Sequence, residues 1–276
     1  MQLAMIQDRI VAMAELGPAY LDRGVYFGDG VYEVLRSYDG KIFALEEHLE
    51  RFRGSLAAIG IGGIDVEEVR RRVLDAFSKA QIGNAKIYFH VTRGSAVRNH
   101  VAEGDLQPNF FLTVTELDDD TQVKAAGIAV STHPDWRWKR CDIKSLNLLA
   151  NVLARMDATK KGCDEAILVD EAGLITEGAA SAFFAVFGKA VRTAPLTGNI
   201  LASVTRKYVI KGAKAVGLEV VEHSLTPAEA GEADELFIAV TTKDIVAVVS
   251  FDGKAIGDGK PGKYTKALIA EFRSFT

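Results

Sequence analysis

Strand-like and helix-like stretches alternate along this chain without the even spacing of βαβ units, and that irregularity limits the folds open to it. Runs that alternate in polarity, Lys86 to Arg93 and Phe110 to Leu117, read as strands. Val25 to Phe27 and Val31 to Tyr38 read as strands flanking the turn Gly28-Asp29-Gly30, and Tyr38-Asp39-Gly40-Lys41 reads as a second turn. Helices are expected from about Leu45 to Ile59 and from about Val66 to Ala80. The acidic stretch Glu116-Leu117-Asp118-Asp119-Asp120 then breaks the pattern. Beyond it come strands at Gly127 to Ser131, Ala166 to Val169, Leu174 to Thr176, Ser181 to Val186, Glu235 to Val240 and Ile245 to Ser250, with a helix from about Ser203 to Val216. The expected fold class is α+β in two domains. Residues 1–117 form a smaller N-terminal α+β domain, 118–122 a linker and 123–276 a larger C-terminal domain.

Composition narrows the function. With 276 residues, 48% hydrophobic and 25% charged, the chain has the make-up of a soluble globular protein. A net charge of −4 gives nucleic acid no electrostatic purchase, and no apolar run approaches the ~20 residues of a membrane span. The opening MQLAMIQDRI lacks the pattern of a secretory signal. Two cysteines, Cys141 and Cys163, suit neither a disulfide framework nor a zinc site, so a reducing cytoplasm is the expected compartment and no metal is expected.

The segment Cys141-Asp142-Ile143-Lys144-Ser145-Leu146-Asn147 carries the chemistry. Lys144 precedes an apolar-periodic run (Leu146, Leu148, Leu149, Val152, Leu153, Met156) that reads as an amphipathic helix with Ser145 as its N-cap. An amine held at such a junction and stripped of water is a usable nucleophile towards a carbonyl cofactor such as pyridoxal phosphate. Taken singly, a lysine is ordinarily a solvated surface group, so companions must decide. Glu177, at the end of a strand, suits the pyridine nitrogen of such a ring. Arg51 offers a fork for phosphate, or a surface pair with Glu47 at i,i+4 spacing. Ser203-Val204-Thr205-Arg206 opens a helix whose amides suit an anion, and Thr241-Thr242 adds hydroxyls. Arg98 and His100 sit two apart on a loop and would suit a carboxylate, while strand alternation puts Tyr32, Val34 and Arg36 on one face.

In this order the segments resemble the fold-type IV pyridoxal-phosphate enzymes, and most of all the bacterial D-amino acid aminotransferases. The resemblance runs over about residues 20 to 265. It includes Asp22-Arg23-Gly24, Phe27-Gly28-Asp29-Gly30-Val31-Tyr32-Glu33-Val34, Val91-Thr92-Arg93-Gly94, Arg140 to Leu149, Thr176-Glu177-Gly178 and Asp234-Glu235-Leu236-Phe237. It implies an active site between the domains and a Schiff base of pyridoxal 5'-phosphate on Lys144, which also moves the proton during transfer. It implies Glu177 at the pyridine nitrogen, Leu201 against the ring, and Arg51, Val204, Thr205 and Thr241 at the phosphate. Tyr32, Arg98 and His100 would trap the substrate α-carboxylate, the last two serving the partner subunit's site in a homodimer. The implied reaction is ping-pong transfer of an amino group between D-amino acids, D-alanine for example, and 2-oxo acids such as 2-oxoglutarate.

Two departures stand out. Ala179-Ala180-Ser181-Ala182 replaces the family's serine-rich run ending in asparagine, which predicts easier cofactor loss. Arg36 replaces a frequent lysine, and on the Tyr32 face it is expected to reach an acidic substrate side chain. An aminodeoxychorismate lyase, a branched-chain or (R)-amine transaminase, and a non-catalytic cofactor-binding protein remain as alternatives, with Arg98 and His100 weighing against the lyase.

Overall fold

The computed structural model describes residues 2–197 and 199–276. A four-stranded antiparallel sheet runs in the order Lys41–Ile42, Gly30–Tyr38, Ala85–Thr92, Asn109–Glu116. Its buried face collects Val31 and Leu35 from one strand and Ile87, Phe89 and Val91 from the next, the period-two pattern of a half-covered sheet. The helices Leu45–Ala58 and Val66–Ala80 cover that face through Leu49, Phe52, Val69 and Val73. The turn at 38–41 closes with Asp39 and Gly40 both at positive φ, as a two-residue hairpin of matching twist requires.

The second sheet has nine strands in the order Glu219–Glu222, Ala190–Thr193, Ala182–Phe187, Glu235–Val240, Asp244–Phe251, Ile128–Pro134, Glu165–Val169, Ile175–Gly178, with Lys254–Ala255 added beside Asp244–Phe251. Alternate residues of its central strands enter different cores. Phe183, Ala185 and Ile238 pack on one face, and Phe184, Val186 and Phe237 on the other. Burial on both faces explains why these strands read as continuous apolar runs. The helices Val204–Ala215 and Lys263–Phe272 cover the second face, where Tyr38 and Phe43 from the smaller sheet join the same core. The stretch 118–122 lies between the two sheets, and a short helix, Thr121–Ala126, begins within it.

Several local expectations are corrected. Val25 to Phe27 is not a strand but part of the helix Arg23–Phe27, capped by the Asp22 side chain and ended by Gly28 in the left-handed region at φ 66°. Ser145 does not cap a helix. It bridges to Val31, and the helix starts four residues later, at Leu149–Lys160. The apolar stripe on that helix does not face the core: Leu149 is 68% and Met156 52% exposed, while the helix packs inward through Ala154 and Ala158. The strands Ala190–Thr193 and Glu219–Glu222 and the helix Lys263–Phe272 were not foreseen.

One contact joins the halves at the lysine. Tyr32 donates its N–H to the Lys144 carbonyl at 3.0 Å, and Leu146 donates to the Gly30 carbonyl at 2.9 Å. Residues 144–146 thus lie as an extra extended piece along the free edge of Gly30–Tyr38. Gly30 permits this approach, because a Cβ there would meet the Val91 carbonyl oxygen at 2.6 Å and Leu146 Cδ1 at 2.7 Å. Gly30→Ala is expected to cost about 1–3 kcal/mol by overpacking. Denaturant unfolding checks this, and an unchanged midpoint would contradict it.

Candidate active site

A cavity of about 810 Å³ opens between the two sheets. The smaller sheet and its helices contribute Tyr32, Val34 and Arg51, and the larger part contributes Lys144, Glu177, Leu201, Thr241 and Thr242. Lys144 is fixed at its backbone on both sides. Its carbonyl accepts from Tyr32, and its N–H donates to the Ser55 hydroxyl at 3.1 Å. The ammonium then stands 4.3 Å from the centroid of the Tyr32 ring.

Glu177 ends the strand Ile175–Gly178 and is buried. Its Oε1 accepts from Arg137 and from the Leu201 N–H at 3.2 Å. Burial pushes the Glu177 carboxyl up, and Arg137 pulls against it. Arg137 is itself gripped by Asp135, whose Oδ2 also accepts from the Thr176 hydroxyl at 2.9 Å. Sequence reasoning missed both Arg137 and Asp135. A cation between two tryptophans, Trp136-Arg137-Trp138, was the available signal.

Arg51, on the same cavity, is not paired with Glu47. Its Nε and Nη2 each lie 2.8 Å from the fully buried Glu33 carboxylate, and its Nη1 donates to the Ala202 carbonyl at 3.0 Å. His48 Nδ1 lies 2.8 Å from the same carboxylate; burial pushes the His48 ring down, and Glu33 pulls against it. Glu47 instead accepts from the Tyr208 hydroxyl at 2.8 Å. Glu33 was also missed. A carboxylate alternating with buried Val31 and Leu35 requires a cation behind it, and that was its signal. Next to Arg51, Ser203 lines the cavity and caps the helix Val204–Ala215, its hydroxyl accepting from Arg206 N. The N–H groups of Val204 and Thr205 are the first of that helix and have no acceptor within it. A carboxylate, a lysine, a guanidinium, a helix start and a threonine around one cavity suit a phosphorylated pyridine.

Three expected residues stand elsewhere. Arg98 and His100 are exposed and pack around the Phe27 ring, outside this cavity, with Arg23 holding their loop through the carbonyls of Asn99 and His100. Arg36 does not share the Tyr32 environment. It is fully buried, donates to the Thr242 carbonyl at 2.6 Å and pairs with Asp119 and Asp244, so it cannot meet a substrate side chain.

The sequence profile of the amino-transferase class IV family matches residues 30–251. The chain belongs to that family. It is 37% identical over 263 residues to a D-alanine aminotransferase of Bacillus licheniformis, covering 95% of this chain and 93% of that protein. It is 36% identical over 277 residues to a D-alanine aminotransferase of Staphylococcus haemolyticus, covering 100% and 98%. Its fold superposes on the branched-chain amino acid aminotransferase of Escherichia coli with a TM-score of 0.87 at 24% identity, over 97% of this chain and 92% of that one. The fold is accordingly fold-type IV, α+β in two domains.

In this class IV aminotransferase Ala179, Ala180 and Ala182 line the cavity, and the intervening Ser181 hydroxyl turns to Glu165 at 3.2 Å. The wall beside Glu177 is therefore apolar where hydroxyls were expected. The Glu33 pair behind Arg51 gives a pH signature. Burial acts to raise the Glu33 carboxyl, but Arg51 and His48 overrule it and hold it down to about 2, from an ordinary 4.5. The folded value lies below the unfolded one, so the pair stabilises fully above pH 4.5 and that contribution is lost as pH falls towards 2. Glu33→Gln is expected to cost about 3–5 kcal/mol at neutral pH, because it strands a buried guanidinium. Urea unfolding between pH 7 and pH 3 should show a shallower acid loss in the variant than in the parent; parallel profiles would contradict the pairing.

Proposed function

We propose that this chain is a pyridoxal-phosphate-dependent transaminase that moves the amino group of D-amino acids to 2-oxo acids, and that it works as a homodimer. The observation that carries the proposal is the placement of Lys144, the buried Glu177 carboxylate and Arg51 in the lining of one cavity. The two relatives named above as D-alanine aminotransferases, alike over nearly the whole chain, support the stereochemistry.

Pyridoxal phosphate, when bound, supplies an aldehyde that captures amino groups and a protonated ring that accepts the electron pair released at the substrate α-carbon. Glu177 keeps the ring nitrogen protonated. Arg137 and the Leu201 N–H occupy its Oε1 and leave Oε2 for that task. Leu201 packs against the ring. Arg51, the amides of Val204 and Thr205, and the Thr241 hydroxyl hold the phosphate. Lys144 Nζ would be the amine that holds the cofactor through its aldehyde, and the group that would accept the proton from the substrate α-carbon. Tyr32 beneath it fixes the face from which that proton moves.

The α-carboxylate is received by Tyr32 together with Arg98 and His100 of a second copy. Val97 and Val101, which flank that pair, are 66% and 67% exposed, and the Leu149–Met156 stripe forms a further open apolar surface. Patches of this kind mark association surfaces.

Holoenzyme mixed separately with D-alanine, L-leucine and (R)-phenylethylamine tests the function, with the visible absorbance of the cofactor as readout. D-alanine should convert it fully and the other two should leave it unchanged; conversion by L-leucine alone would overturn the D-amino acid assignment. Lys144→Ala should lower turnover by at least about 10³-fold, and wild-type turnover in that variant would remove the lysine from the mechanism.

A further inference from the structure

The cofactor cavity has a charged cluster behind it that the proposed chemistry does not use. The strands Glu235–Val240 and Asp244–Phe251 are joined by Thr241-Thr242-Lys243, with Val240 paired to Asp244 and Lys243 N–H donating to the Val240 carbonyl at 3.1 Å. Asp244, the first residue after this loop, stands in the left-handed region at φ 60°, a place that favours glycine. Its side chain accounts for the exception. The carboxylate is buried and accepts from Lys124 Nζ at 2.8 Å, Arg36 Nη1 at 3.3 Å and the Tyr38 hydroxyl.

Arg36 does more than neutralise Asp244. The same Nη1 donates to the Thr242 carbonyl at 2.6 Å, so one guanidinium holds the loop at Thr242 and the strand residue that follows it, Asp244. Asp119 closes the cluster, 3.0 Å from Arg36 and 2.9 Å from Lys124. Thr241 and Thr242 line the cofactor cavity, while Arg36, Tyr38 and Asp119 line a separate cavity. The turn is thus gripped from the side away from the cofactor. A guanidinium is suited to this because its planar donors are fixed relative to one another: while Nη1 holds the turn, Nη2 reaches Asp119.

We propose that Arg36 and Asp244 are positioning residues for the phosphate end of the site: by fixing the backbone of the 241–243 turn they hold the Thr241 hydroxyl in register with Arg51 and the Val204–Thr205 amides. The proposal rests on the assignment of Thr241 to the phosphate made above. It gives Arg36 a role in cofactor affinity in place of substrate choice. It also ties the segment between the two sheets, through Asp119 and Lys124, to the same turn.

The test compares pyridoxal phosphate with pyridoxal, which lacks the phosphate. Holoenzyme is stripped of cofactor and titrated with each, for the parent, Thr241→Val, Arg36→Lys and Asp244→Asn. Arg36→Lys keeps the charge of the cluster, and Asp244→Asn keeps a residue tolerant of the left-handed region, so one or the other retains the fold if its partner variant does not. All variants are expected to lose about ten-fold in affinity for pyridoxal phosphate, the effect of one hydrogen bond to a charged group, with pyridoxal affinity unchanged. If Thr241→Val shows that selective loss and neither cluster variant does, the positioning role is wrong while the phosphate assignment stands. If Thr241→Val shows none, the phosphate assignment fails and the proposal with it. Equal losses for both ligands would reduce the cluster to a general stabiliser and also overturn the proposal.

Discussion

Everything in this site depends on the docking of residues 144–146 along the edge of the Gly30–Tyr38 strand. Two backbone hydrogen bonds make the contact, and a glycine makes room for it. Because strand residues alternate, the docking sets two functions at once. Tyr32 faces the cavity under the Lys144 ammonium, and Glu33 points the other way, into the helix layer, where it orients Arg51. Lysine, tyrosine and arginine are placed relative to one another by a single register, and a slip of one residue would exchange Tyr32 for Glu33 in the cavity.

Two charged groups of the site, Arg51 and Glu177, are each held by a second buried charge. Glu33 holds Arg51, Arg137 holds Glu177, and Asp135 holds Arg137. Such pairs add little net stability, since desolvation consumes most of the attraction. Their return is geometric: a side chain with all its other donors engaged has one orientation left for a ligand. The Arg36–Asp244 cluster extends the same device to a backbone turn.

The sequence showed the parts of the fold whose patterns are local. Leu45–Ala58 and Val66–Ala80 carry helical periodicity, and the half-covered sheet carries alternation, so their bounds were legible to within a residue or two. The strand Ala182–Phe187 is apolar on both faces and gives no period, yet its unbroken apolar run was read as Ser181 to Val186; the short edge strands Ala190–Thr193 and Glu219–Glu222 are too brief to give either signal. The periodic run after Lys144 was misjudged because its apolar stripe faces outward; hydrophobic spacing reports burial in an assembly as readily as in a core. Lys144, Glu177, Arg51, Leu201 and Thr241, which motif order singled out, line one cavity. Glu33, Asp135 and Arg137 were not singled out, because their importance lies in contacts across 18 and 40 positions of sequence, which no local pattern records.

One chain builds the cofactor half of the site and turns Arg98 and His100 outward. In the proposed homodimer a second copy completes the carboxylate trap. Mixing two inactive variants, Lys144→Ala and Arg98→Ala, tests this most directly. If the trap crosses between subunits, each mixed dimer contains one intact site, with Lys144 from one chain and Arg98 from the other, and D-alanine turnover returns on subunit exchange. If both groups act within one chain, every mixed site lacks one of them, and a mixture as inactive as its components would contradict the account.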